Sequence, residues 1–304
     1  MTTYKKKIRT LYMGHNPVLL LACLNYSNLI GIFIHEVNGN ISQRAKSVNK
    51  TCLDNKISIY KFDKLTNAAV DQIKNIAPDL IIVGEYHLLL KNEIILIPPL
   101  GCINIHGSLL PQYKGAHPIN WMLINGENTG GVTAHYVNEA LDGGPIIQQL
   151  NYPIGKDTTA YDLRPFIEGC GYSLLASILQ KLSQGVPILS TPQDKSKESY
   201  YPPRKPEDGQ INWDQPSLSI HNFVRALSAP YPGAFTLVNN EKLIIWKTYL
   251  PEPDIFAKKP IENIEPGTIC SKTNTELIIK TEDGKITVID YDCAVDFQSG
   301  WRLQ

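Results

Sequence analysis

An amide, an imidazole and a carboxylate stand at spacings that could together carry acyl transfer to a nitrogen nucleophile. In Ile103-Asn104-Ile105-His106, the alternation of a strand turns Asn104 and His106 to one side and Ile103 and Ile105 to the core. Thirty-six residues after His106 comes Leu141-Asp142-Gly143-Gly144, a carboxylate in a Gly-rich turn between the strand-like runs 131–137 and 146–150. Such a turn can return Asp142 to the edge from which Asn104 and His106 project. An amine attacking an acyl carbon creates a tetrahedral oxyanion. Asn104 and His106 can donate hydrogen bonds where that charge develops, and Asp142 can orient His106 and help remove the amine's proton, directly or through water. Taken singly, each has a plainer reading: a histidine near a strand end is more often structural, and an aspartate in a turn is ordinary. Their combination carries the inference.

The elements around this set read as an α/β domain. Ile8 to Met13 forms an apolar run, and Asn16-Pro17 is a helix cap with proline in the first turn, ahead of VLLLACLNY. Leu29 to Ile34 is a second buried strand. A helix over 42–55, a strand at 57–60 and a helix over 67–76 follow, then Leu80-Ile81-Ile82-Val83, whose β-branched run suits a central parallel strand. Strands alternating with helices predict a Rossmann-like, mostly parallel sheet flanked by helices, with its site beyond the carboxyl ends of the strands. The single glycine at Gly14 gives no G-x-G-x-x-G, so no nicotinamide cofactor is expected. A helix over 162–182 closes the unit. Between 185 and 210 Pro, Ser, Lys and Gln dominate. Beyond a helix over 218–227 the chain reads as strands (234–238, 243–249, 276–281, 285–291) parted by turns, a smaller, mainly β, barrel-like domain. The expected division is a catalytic domain over 1–185, a linker over 186–210 and a carboxyl-terminal domain over 211–304.

Composition narrows the partners. The 29 basic residues balance the 29 acidic ones, which gives no basis for general nucleic-acid binding. The one dense basic run is Lys5-Lys6-Lys7-Ile8-Arg9, expected to be a solvated end. No apolar run reaches the roughly 20 residues of a membrane span, and no signal-peptide cleavage pattern follows the basic start. The 6 cysteines are scattered singly without a C-x-x-C pair, so buried thiols are expected and no metal. The chain reads as a cytoplasmic protein without a membrane partner, and a homodimer is left open.

The stretch INIHGSLLPQYKGAHPINWMLINGENTGGVTAHYVNEALDGGPIIQQ resembles the folate-dependent formyltransferases in several spaced elements: Asn-x-His, Ser-Leu-Leu-Pro, x-x-x-Gly, x-x-Pro, Gly-Val-Thr and Leu-Asp-x-Gly. YYPPRKPEDGQINWDQPSLSIHNFVRALSAPYPGAF and LIIW resemble the linker and the start of the carboxyl domain in two-domain members. The likeness covers most of the chain and is weakest past Lys247. It implies the formyltransferase fold and 10-formyltetrahydrofolate as formyl donor, with catalytic Asn104, His106 and Asp142. It also implies that the pterin lies against the segment 85–90, with Tyr86, His87, Leu88 and Leu90 as candidates to line it. Two departures stand out: the commoner Leu-Asp-Thr-Gly-Asp is Leu-Asp-Gly-Gly-Pro here, and His117 fills a variable site that could meet the acceptor, alongside Ser108.

Members that formylate initiator tRNA carry a basic, Gly-rich insertion after the second strand. Here IHEVNGNISQRAKSVNKTCL holds Arg44, Lys46 and Lys50 but no such loop. The linker and GVTAHYV look closer to the nucleotide-sugar N-formyltransferases, including the formyltransferase half of the bifunctional enzyme of aminoarabinose modification. The resemblance therefore implies a UDP- or dTDP-linked amino deoxysugar as acceptor, in lipopolysaccharide or other surface-glycan biosynthesis, with Arg204 and Lys205 as candidates for its diphosphate. Nucleic acid is not an expected partner, although a methionyl-tRNA formyltransferase is the alternative. A folate-binding protein without transfer activity is the alternative of another class, and the complete Asn104, His106 and Asp142 set argues against it.

Overall fold

The computed structural model describes residues 7–35, 42–250 and 264–304. Lys5 and Lys6 of the basic run, and 36–41 of the segment after the second strand, lie outside the described residues. The chain divides into two compact units: 1–115, 130–152 and 165–200 in the first, and 116–129, 153–164 and 201–304 in the second. This cuts the chain differently from the expected boundaries, because 116–129 and 153–164 group with the carboxyl-terminal part and most of the expected linker groups with the first unit.

The first unit is built on a seven-stranded sheet. Its elements run β1 (Arg9–Gly14), α1 (Pro17–Tyr26), β2 (Asn28–His35), α2 (Gln43–Asp54), β3 (Ile59–Phe62), α3 (Asn67–Ile76), β4 (Leu80–Gly84), the one-turn α4 (Asn92–Ile95), β5 (Cys102–His106) and the two-residue β6 (Lys114–Gly115). After α5 (Pro118–Ile124), which belongs to the second unit, come β7 (Thr129–Tyr136), β8 (Ile146–Pro153) and α6 (Ala160–Ser183). The strand order is β3-β2-β1-β4-β5-β7-β8. The pairs among β1 to β5 are parallel and β7 lies antiparallel to β5. Burial on both faces explains the apolar runs: Leu11, Tyr12 and Met13 of β1 and Leu80, Ile81 and Ile82 of β4 are all 0% exposed.

Helix starts follow the sequence signals. The Asn16 carboxamide accepts from the amides of Val18 (2.9 Å) and Leu19 (3.2 Å), and Ser42 Oγ from Ala45 (3.1 Å). Chain order reverses between β1 and β4, which opens the sheet's carboxyl edge there. The two strands approach closely at that edge, with the His15 amide donating to the Gly84 carbonyl at 3.0 Å. A Cβ on Gly14 would stand 1.9 Å from that oxygen.

The second unit holds β9 (Tyr200–Tyr201, from its second residue), α7 (Ser217–Ala226), β10 (Ala234–Val238), β11 (Glu241–Tyr249), β12 (Ile269–Lys272), β13 (Leu277–Lys280) and β14 (Lys285–Cys293). The last five strands form one antiparallel half-barrel sheet in the order β10-β11-β14-β13-β12, its register shifted twice along β11. Ile220 and Val224 of α7 join Leu243, Ile245, Leu277, Ile279, Ile286 and Val288 in its core. The short strands β6, β9 and β12 and the helices α4 and α5 are elements the sequence pattern did not anticipate. Gly14→Ala is expected to cost about 3 kcal/mol or more, because the overlap is with backbone rather than a movable side chain. The chemical-denaturation midpoint measures it, and a near-native midpoint contradicts the close approach.

Candidate active site

Asn104 and His106 leave the carboxyl end of β5, with Ile103 fully buried behind them and Ile105 half-buried. Asp142 reaches the same place from the turn after β7. Its Oδ1 lies 3.6 Å from His106 Nδ1 and 3.4 Å from Asn104 Nδ2, and its Oδ2 accepts the Gly115 amide at 2.9 Å. The turn requires unusual backbone: Asp142 has φ 48°, and a Cβ on Gly144 would stand 1.7 Å from the Tyr136 carbonyl oxygen. The carboxylate's side chain is only 10% exposed. A polar group so placed needs hydrogen-bond partners within the protein.

The ring nitrogens have definite roles. His106 Nε2 lies 2.9 Å from the Tyr113 carbonyl, which can only accept, so that nitrogen carries a proton and Nδ1 is the one facing Asp142. A second histidine, His135 on β7, completes the cluster. Its Nδ1 donates to the Tyr136 carbonyl at 2.8 Å, and its Nε2 stands 3.1 Å from Asn104 Nδ2. Burial, opposed by the neighbouring Asp142 charge, lowers the His135 pKa to about 4. The ring is therefore neutral near pH 7, Nε2 is a lone-pair acceptor, and Asn104 must turn its NH2 toward it. One Asn104 N–H is held by His135, and the other is shared only loosely with Asp142. Sequence reasoning missed His135. It faces the same way as Asn104 because the two residues pair directly across antiparallel β5 and β7, and Ala-His-Tyr in a strand gives no sign of that partner.

The remaining candidates scatter. Ser108 is fully buried, and its hydroxyl is directed to the Gln112 and Tyr113 carbonyls (2.7 and 3.3 Å). It braces the turn rather than facing an acceptor. On the segment after β4, His87 is exposed and edges against His15 and His35, while Tyr86 and Leu88 are half-buried. Leu90 is 3% exposed within the core, so its side chain packs instead of lining an open edge. In the second unit, His117 opens α5 with φ 54°, and its Nδ1 accepts the Arg204 amide at 3.1 Å. The Arg204 guanidinium lies between Trp121 (4.9 Å) and Phe223 (5.3 Å) and donates to the Asp208 carbonyl. These contacts hold the guanidinium against its own segment. Lys205 is exposed. Among the described residues no group of His, Cys, Asp or Glu could hold a metal ion, and no helix is long and apolar enough to cross a membrane.

Formyl transferase domains match residues 34–178, and formyl transferase carboxyl-terminal domains match residues 204–293. A methionyl-tRNA formyltransferase from Ruminiclostridium cellulolyticum is 35% identical over 261 residues, 86% of this chain and 80% of that protein. The chain belongs to the formyltransferase family. It is a formyl-transferring enzyme with the family's fold. Two solved structures share that fold. WlaRD, a sugar 3N-formyl transferase in the presence of dTDP and 5-N-formyl-THF, is 24% identical with TM-score 0.67, over 96% of this chain and 99% of that one. The N-formyltransferase from Helicobacter canadensis, in complex with folinic acid and dTDP-3-aminofucose, is 21% identical with TM-score 0.70, over 94% and 100%.

The lowered His135 pKa carries a sign for this formyltransferase. The unfolded ring takes up a proton near its ordinary pKa of 6.5, whereas the folded ring resists until about 4. The contribution to stability is thus complete above pH 6.5 and is lost progressively as pH falls from there toward 4. Nitrogen-15 NMR at pH 5.5 is expected to find the His135 ring neutral and protonated on Nδ1. A charged ring at that pH contradicts the assignment of Asn104 as a donor.

Proposed function

We propose that this enzyme moves the formyl group of 10-formyltetrahydrofolate to the amine of a UDP- or dTDP-linked amino deoxysugar. The observation that carries the chemistry is the convergence of Asn104 and His106 on one Asp142 oxygen at the end of β5. The amine attacks the formyl carbon, and the carbonyl oxygen takes up negative charge. Asn104 can turn its loosely held N–H to that oxygen while His135 keeps the amide from flipping. With Nε2 donating to Tyr113, His106 can give that oxygen a hydrogen bond only through Nδ1, and so only when Nδ1 also carries a proton, beside Asp142. Asp142 accepts the amine's proton, directly or through water, and that proton leaves on the folate nitrogen as the intermediate collapses. No covalent enzyme intermediate is needed.

The residues present suit a folate. Glu85 to Leu90 and the Asp142 turn flank β5 because β4 and β7 are its neighbours. Leu89 (57% exposed) and Leu141 (48%) are apolar side chains left open on these two segments. The Tyr86 hydroxyl is buried without a partner. A flat heterocycle with polar edges fits such an apolar, hydrogen-bonding border. Tyr86, His87 and Leu88, with the backbone at Leu90, are the proposed pterin contacts.

The sugar acceptor rests on charge. A polyanion is bound by clustered cations that displace its counterions. Here basic and acidic residues balance at 29 each. Arg44, on the segment after β2, is ion-paired with Glu85 and Glu168 at 2.7 Å each. Lys205 is the proposed diphosphate contact, with His117 toward the acceptor. The second reading, a methionyl-tRNA acceptor, draws on the 35% identical relative of that name.

Rival acceptors decide between them. Formyl transfer measured with dTDP- and UDP-aminosugars and with charged initiator tRNA, from low to moderate salt, is expected to favour an aminosugar nucleotide, with only a shallow salt dependence and far slower turnover of the free amino sugar. Efficient formylation of methionyl-tRNA with every aminosugar nucleotide refused overturns the acceptor and leaves the formyl chemistry standing. His106→Asn and Asp142→Asn are each expected to lower turnover by about a hundredfold or more while folate binding persists. Near-native turnover by either variant removes the mechanism.

A further inference from the structure

The stretch Thr191-Pro192-Gln193-Asp194-Lys195-Ser196-Lys197-Glu198-Ser199 looks like a polar linker, yet it is fastened to the reaction centre at several points within the first unit. Thr191 exchanges two backbone hydrogen bonds with Ile146, each 2.8 Å. Gln193 Nε2 then directs its two N–H groups to two carbonyls of the catalytic turn, Asp142 at 2.7 Å and Gly144 at 2.8 Å. Six residues on, Ser199 Oγ accepts the Tyr113 amide at 2.9 Å, and the Ser199 carbonyl accepts the Lys114 amide at 2.9 Å. The Lys114 ammonium meets Glu198 at 2.7 Å. Tyr113 is the residue whose carbonyl anchors His106 Nε2. Both members of the His106–Asp142 pair therefore hang from this one segment.

We infer that Gln193 and Ser199 are positioning residues for formyl transfer, acting on Asp142 and His106 respectively. The inference rests on the catalytic roles proposed above. Asp142 and Tyr113 both hold positive φ, 48° and 57°. Non-glycine residues keep that conformation only where surrounding contacts fix it. At Asp142 the fixing contact must satisfy two neighbouring carbonyls from one side, and a primary amide does so with a single nitrogen. With both carbonyls held on the linker side, the carboxylate is turned toward His106 and Asn104. At Tyr113, the Ser199 hydroxyl and carbonyl take two successive amides, which aims the intervening Tyr113 carbonyl at the imidazole. The segment touches no reacting atom, so its effect is on geometry alone.

The test uses the full chain, 10-formyltetrahydrofolate and whichever wild-type acceptor, dTDP-3-aminofucose or methionyl-tRNA, supports turnover. Gln193→Met keeps the length and removes both N–H groups; Ser199→Ala removes the hydroxyl acceptor. Each is expected to lower kcat about tenfold to a hundredfold, since displacements near 1 Å have effects of that size, with both KM values within roughly twofold of wild type. In the Asp142→Asn background, Gln193→Met is expected to add almost nothing, because it acts through the side chain already disabled. Wild-type kcat in both single variants, a loss carried in KM, or losses that multiply in the double variant overturns the inference. Near-native turnover by Asp142→Asn alone instead overturns the catalytic reading, and the buttress with it. An inactive Asp142→Asn beside a fully active Gln193→Met overturns the buttress only.

Discussion

A carboxyl side chain that is nine-tenths buried is the constraint around which the first unit is arranged. A carboxyl group so enclosed exchanges water for protein partners, and the fold supplies two donors from separate places, the Gly115 amide and the Asn104 amide group, with the imidazole of His106 3.6 Å away. Bringing them together requires β4, β5 and β7 side by side, a turn with positive φ at Asp142, and a glycine at 144 where any side chain would collide with Tyr136. A side chain added at Gly144 would move the carboxylate before it touched a substrate. Stability of the turn and competence of the site are therefore the same property.

The two histidines beside it are anchored through different ring nitrogens, and the difference separates their work. His106 is pinned through Nε2 and presents Nδ1, whereas His135 is pinned through Nδ1 and presents Nε2. His135 is the more enclosed ring, so burial outweighs the nearby carboxylate and keeps it neutral. In the proposed mechanism, a neutral acceptor behind Asn104 fixes which end of an otherwise symmetric-looking amide faces the oxyanion. A charged ring there would instead have repelled the Asn104 N–H and favoured the flipped amide, placing a carbonyl where negative charge has to develop.

Much of this was legible in the sequence wherever one signal sufficed. The Asn16-Pro17 cap, the buried run of β4 and the alternation of Asn104 with His106 are local patterns, and each element formed where its pattern lay. What escaped depends on contacts between distant segments. His135 pairs with Asn104 only because β7 runs antiparallel to β5 in one register. Ser108 looked like a ligand for the acceptor, but the turn it opens folds back and captures its hydroxyl. Arg204 looked like a phosphate contact, but Trp121 and Phe223, from helices 83 and 19 residues away in the chain of 304, pack on it. Gln193 lay in a stretch whose composition announces a linker. Its role comes from two carbonyls that no composition reveals.

The chemistry and the choice of acceptor are physically separable. In the proposed mechanism Asn104, His106 and Asp142 engage only the donor's formyl group and the attacking amine, and that amine is common to aminosugars and aminoacyl groups. Discrimination must then come from binding energy gained away from the reacting atoms. For a polyanion that energy grows with the number of cations free to displace counterions. Arg44 is drawn out of that count by two carboxylates and Arg204 by two aromatic rings and a carbonyl. Each of these cations, taken from the sequence alone, looks available. Once the folded contacts are counted, the charge left for an extended phosphate backbone is smaller than the composition implies, whereas a diphosphate needs only one or two such groups.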